Sequence, residues 1–97
     1  MKVIFTWDPA KAMSNRRKHG VDFEDAVRDF DDPLHLTVQD RIENNEQRWQ
    51  TIGQVYGAMI LLVAHTITDY GPESFETIRI ISARAATPRE RKAYANG

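Results

Sequence analysis

Near Leu34 the chain changes period, and that change constrains the fold more than any other feature of its 97 residues. Before it, Phe23, Ala26, Val27 and Phe30 fall at i, i+3, i+4 and i+7, a single apolar stripe along a helix. After it, Leu34, Leu36 and Val38 alternate with His35, Thr37 and Gln39, the two-residue period of a strand with one covered face. A chain written this way needs a sheet in its later part and helices to cover it.

Terminus signals place the other elements. The β-branched and aromatic run "VIFTW" at 3–7 predicts a first strand. A first helix follows, with Asp8 as N-cap, Pro9 in its first position, Arg16, Arg17 and Lys18 in its last turn and Gly20 as its stop. The second helix starts at Asp22 and ends at "DDP", 31–33, so the two are expected to form a helical hairpin that lies on the sheet. After a polar turn "RIENNE" a strand is expected over 48–55, then a tight turn at "YG", 56–57. The next strand, 59–66, is nearly all apolar and is expected in the centre, covered on both faces. A loop "TDYGPES" leads to a last strand over 75–83. The run Thr87-Pro88-Arg89-Glu90 has capping-box spacing and predicts a short helix over 88–96. Short turns between consecutive strands favour an antiparallel meander, an α+β fold in one domain spanning 1–97.

Composition narrows the class. Apolar residues make up 41% and charged residues 28%, ordinary globular usage. There is no cysteine, which excludes disulfides and thiolate metal sites and suits a reducing cytoplasm. The apolar run "AMILLVA" at 58–64 is too short to span a bilayer, so a soluble cytoplasmic protein is expected, with no membrane partner. Net charge is −1, but unevenly spread: residues 1–77 carry 8 Lys+Arg against 13 Asp+Glu, a balance of −5, and residues 78–97 carry 5 against 1, a balance of +4. An anionic ligand would be drawn to a local patch rather than to the whole surface.

Two segments, "FTWDPAKAMSNRRKHGVDFEDAVRDFDDP" at 5–33 and "IRIISARAATPRERKAY" at 78–94, resemble the BrnT family of bacterial type II toxins. Its members show a W-D-x-x-K opening, a K-H-G-V-x-F-x-x-A run, an F-x-D-P end to the second helix and an R-I-I-S-A-R-x-A-T-x-x-E close. The loop "TDYGPESFE" is longer than the tight turn common in that family. The resemblance implies a RelE-like fold and a ribonuclease that arrests growth. It also implies a ribbon-helix-helix antitoxin partner, BrnA-like, through which alone the complex would touch DNA.

Metal-free RNA cleavage needs a group to take the 2′-hydroxyl proton, a group to protonate the leaving 5′-oxygen, and cations to steady the phosphorane. Arg79 and Arg84 are the candidate cations, their planar forks suited to phosphate; the resemblance supplies much of that assignment, and an ion pair with one of the many upstream acids is the competing role. Five positions separate them, which puts them on opposite faces of a regular strand unless a bulge re-aims Arg84. His65, which interrupts the apolar central strand, is the candidate acid or base, against the alternative of a satisfied core histidine. Arg89, Lys92, Tyr94 and Lys18 are candidate RNA contacts, the first three on a helix too short to aim them all at one phosphate. Position alone, matched to the aromatic that RelE-like enzymes place near the C-terminus, nominates Tyr94. His19 reads as a helix-terminus residue, His35 as facing solvent or a partner, and Trp7 and Trp49 as core or interface anchors. The histidines lack metal-ligand spacing, so neither metal nor other cofactor is expected. Two functions stay open: an endoribonuclease toxin, and a non-catalytic module that binds an antitoxin.

Overall fold

The computed structural model describes residues 2–69 and 75–97. Five strands form one sheet in the order β1 (Lys2–Trp7), β5 (Phe75–Ala85), β4 (Met59–Asp69), β3 (Glu46–Val55), β2 (Leu36–Glu43). β2 to β5 make the expected antiparallel meander, with β4 in the middle. The sheet is nevertheless mixed, because β1 pairs in parallel with β5, from Lys2 opposite Phe75 to Trp7 opposite Ile80. The all-antiparallel expectation fails there for a topological reason. The helical segment after β1 carries the chain across the sheet to the far edge before β2 begins, which leaves β1 free to lie beside the last strand.

That crossing begins with α1 (Pro9–His19), whose ends follow the sequence signals. The Asp8 carboxylate accepts from the Ala10 N–H at 2.8 Å, and Gly20, at φ 71°, donates to the Arg16 carbonyl at 2.9 Å. The second arm is not the full helix expected. α2 (Phe23–Ala26) is a single turn that tightens into a 3-10 segment, Val27–Asp31, so a hairpin of two full helices does not form. Burial shows the tighter winding: Phe23, Ala26 and Asp29, three apart, are the fully covered residues, as expected when i and i+3 eclipse. Close approach to β3 fits this geometry, since a Cβ on Gly53 would lie 2.8 Å from the Asp29 carbonyl oxygen.

The core lies between this arm and one face of the sheet. Val21, Phe23 and Ala26 meet Val55, Leu61, Val63, Ile80 and Ala83, with Phe5, Trp7 and Phe30 at the margin. Trp7 stands edge-on to Phe23 at 5.9 Å, the anchor role expected of it. Truncating Phe23 to Ala would cost about 3–5 kcal/mol. On the opposite face α3 (Pro88–Ala95) covers Ile52 and Leu62 at one end of the sheet and leaves the rest open. Its N-terminus is the predicted capping box, Thr87 and Glu90 each bonding the other's backbone N–H.

β2 runs further than expected, through Glu43. The turn is only Asn44–Asn45, both at positive φ (54° and 62°), a two-residue type I′ hairpin. The "YG" turn forms at Tyr56 and Gly57, also at positive φ. β4 and β5 each extend beyond their expected ends, to Asp69 and Ala85. Residues 70–74 of the expected loop, the part that departs from the family pattern, lie outside the described residues.

Candidate functional site

A β-bulge decides where the two arginines point. Along β4, Ala64 pairs with Ser82 but His65 pairs with Ile80, so Ile81 is the extra residue in β5. Arg79 then sits opposite Thr66 and Arg84 opposite Leu62, four residues apart on an unbroken strand and therefore on one face. That face is the open one, away from the helical arm.

Both arginines already hold carboxylates, from sources other than the helical arm. Arg79 Nη2 donates to Glu46 Oε1 at 2.6 Å, reaching over β4 to β3. Arg84 grips Glu90 with both Nη atoms, at 2.8 and 2.9 Å. The fork from Arg84 holds the Glu90 carboxyl down at about 2. Glu90 is thus shared between Arg84 and the Thr87 cap. Arg48, on β3 between Glu46 and Gln50, presents a buried Nε without a partner to the same face.

His65 does not join them. It is fully buried on the opposite face, edge-on to Phe30 at 5.1 Å. Its Nδ1 faces the Thr66 carbonyl and its Nε2 takes the Thr51 hydroxyl at 2.7 Å, itself bonded to Thr37 at 2.8 Å. Burial lowers the ring to about 4, so it is neutral at physiological pH. A common groove of Arg79, Arg84 and His65 is therefore not formed: adjacent residues of β4 face opposite ways, and the helical arm lies over the histidine.

Among the last-helix candidates, Arg89 and Lys92 are exposed, while the Tyr94 hydroxyl donates to Asp32 Oδ2 at 2.5 Å, tying the end of α3 to the end of the 3-10 segment. His35 is half-buried, its Nδ1–H donating to the Asp32 carbonyl at 2.7 Å.

The sequence reading passed over a groove at the edge of the sheet. β1 ends at Trp7, opposite Ile80, so the next stretch of β5 has β4 on one side and no strand on the other. α1 fills that side. Lys11, Ser14, Asn15, Lys18 and His19 line a groove of about 140 Å³ against Ile81 and Ser82 of the bulge. Positions 11, 14, 15 and 18 follow a helical period, but the stripe is polar, and a polar stripe on a helix ordinarily marks a solvated face. Of the three histidines only His19 is exposed, and it lies here with two lysines. Lys11, the pair Lys18-His19 and Ser82 belong to three separate motifs on which the resemblance rests, and the fold brings them together. The arrangement brings together an imidazole, two lysine side chains and a hydroxyl, with Arg79 and Arg84 flanking the bulge on the open face. Among the described residues no group of three or more His, Cys, Asp or Glu side chains could hold a metal ion, and no helix is long and apolar enough to cross a membrane.

Comparison with known proteins gives a consistent relationship. A family described as "Ribonuclease toxin, BrnT, of type II toxin-antitoxin system" matches residues 7–90. The crystal structure of the ribonuclease toxin BrnT from Brucella abortus is similar at a TM-score of 0.59 and 27% identity, covering 90% of this chain and 99% of that one. No curated protein matches.

Proposed function

Because the chain belongs to the BrnT family of ribonuclease toxins of type II toxin-antitoxin systems, we propose that it is a metal-independent endoribonuclease whose reaction centre is the groove between α1 and the β5 bulge. The observation that carries this reading is the meeting of Lys11, Lys18 and His19 with Ser82 at the one place where β5 loses its parallel neighbour. In the reaction the RNA 2′-oxygen gives up its proton and attacks the adjacent phosphorus, and the bond to the 5′-oxygen breaks as that oxygen takes up a proton, which leaves a 2′,3′-cyclic phosphate on one fragment and a 5′-hydroxyl on the other. His19 is the group that moves protons, and Lys11 and Lys18 offset the charge that builds on the phosphorane. Arg79 and Arg84 hold the flanking backbone from the open face, exchanging Glu46 and Glu90 for phosphate. His65 acts only as a core residue.

The family implies an antitoxin partner. The finer reading is a ribbon-helix-helix protein that covers this basic edge, blocks phosphate access and carries the complex to DNA; a RelE-like arrangement belongs to the same reading. A non-catalytic, antitoxin-binding role has one observation in its favour, that both arginines are already engaged by carboxylates.

The test is cleavage of a single-stranded RNA oligonucleotide by the purified chain. Cleavage that persists in EDTA, disappears on the all-2′-deoxy analogue and drops at least about 100-fold in His19→Ala supports the proposal. Loss of activity in EDTA would sink the metal-free mechanism, and a fully active His19→Ala would move the reaction elsewhere.

A further inference from the structure

The groove has two walls from distant parts of the sequence, and a single side chain joins them. Asn15 is 5% exposed and lies at the base of the groove. Its Nδ2 donates to the Ala83 carbonyl at 2.9 Å and to the Val21 carbonyl at 3.0 Å, and its Oδ1 accepts from the Ala83 N–H at 3.0 Å. Ala83 lies just past the bulge, where β5 has outrun β1, so its N–H and C=O on that side would otherwise face no strand. The Asn15 amide replaces the missing peptide group, donating and accepting as a neighbouring strand would. Its third bond fixes the chain at Val21, immediately after the Gly20 stop, and so fixes where α1 ends and Lys18 and His19 stand.

We infer that Asn15 is a positioning residue for the cleavage reaction, setting the distance between His19 on α1 and Ser82 on the bulge. This rests on the reading of the groove as the reaction centre. Asn15 does not itself touch the reacting atoms, since its donors and its acceptor are taken up by Val21 and Ala83. Its effect is on geometry, and a shift of about 1 Å between reacting groups can cost on the order of 100-fold in rate. Other polar residues would not substitute. A shorter serine leaves the Ala83 pair unmatched, and an aspartate loses both donations.

The experiment compares kcat and KM on a labelled single-stranded RNA oligonucleotide for the full chain, Asn15→Ala, and Val55→Ala, a core truncation opposite Met59 and away from the groove. All are measured at a temperature where circular dichroism shows each folded. The inference expects kcat to drop at least about tenfold in Asn15→Ala with KM within about threefold, while Val55→Ala keeps both near the parent values. Should Asn15→Ala fail to fold, Asn15→Asp, nearly identical in shape, is read against the same control and is expected to lose kcat at least about tenfold at neutral pH, since its carboxylate donates to neither the Ala83 nor the Val21 carbonyl. An Asn15 variant that loses no more kcat than Val55→Ala overturns the inference while leaving the groove reading intact if His19→Ala is still inactive. A parent chain that cuts no RNA overturns both.

Discussion

Arg79 and Arg84 stand on the same face of the sheet although an odd number of positions separates them, because the bulge at Ile81 adds one residue to β5 and none to β4. If both hold RNA backbone from that face, Arg79→Ala and Arg84→Ala should each weaken oligonucleotide binding roughly tenfold and lower the slope of log affinity against log salt by about one. Fluorescence titrations at several salt concentrations would read this. A slope unchanged in either variant would show that its arginine serves only the ion pair.

The bulge also marks where the sequence stopped being legible. Local signals placed α1, the α3 capping box and the central strand to within a few residues, since each is written in neighbouring positions: Asp8 with Pro9, Thr87 with Glu90, an apolar run from 59. What set the site was non-local. The parallel place of β1 depends on how far the helical arm crosses the sheet, and the bulge shows only in the register of β5 against β4. His65 looked available because nothing in "LLVAHTIT" says which face the arm will cover. The groove went unread because its stripe on α1 is polar, and polar stripes on helices ordinarily mean solvent.

Glu90 serves two masters, and removing its charge separates them. Glu90→Gln keeps an amide oxygen for the Thr87 N–H but gives up the Arg84 fork, and should cost about 1 kcal/mol in urea denaturation at pH 7. Since the folded-state carboxyl is held at about 2, below its ordinary 4.5, its contribution is present above the ordinary value and lost as pH falls toward 2. The gap between parent and variant should therefore close on acidification toward pH 2.

The Asn44–Asn45 hairpin makes a sharper local prediction. Both residues sit in the left-handed region, which asparagine tolerates and alanine does not. Asn45→Ala should cost about 1 kcal/mol of stability, while Asn45→Gly should cost nothing measurable. Equal losses in the two variants, measured by thermal melting, would mean that the side-chain amide rather than the backbone conformation matters there.

Two buried groups pull the pH dependence of stability in opposite directions. Asp29 is fully buried with neither carboxylate oxygen hydrogen-bonded; burial first, and the nearby Asp32 charge second, push it up to about 8. A raised carboxyl favours folding while protonated, so its contribution is present at low pH and lost as pH rises from its ordinary 3.8 through 8. His65, lowered by burial to about 4, does the reverse: its contribution is present above its ordinary 6.5 and lost as pH falls toward 4. Between pH 4 and 6.5 the two slopes oppose and stability should be nearly flat. From pH 6.5 to 8 only Asp29 is left, and stability should fall by up to about 1.4 kcal/mol per pH unit. Asp29→Asn removes that fall and uncovers the histidine slope, so the variant should gain stability steadily from pH 4 to 6.5 and hold it to pH 8. Urea midpoints across that range would decide it; a parent chain whose stability rises from pH 6.5 to 8 would mean that Asp29 is ionised in the fold.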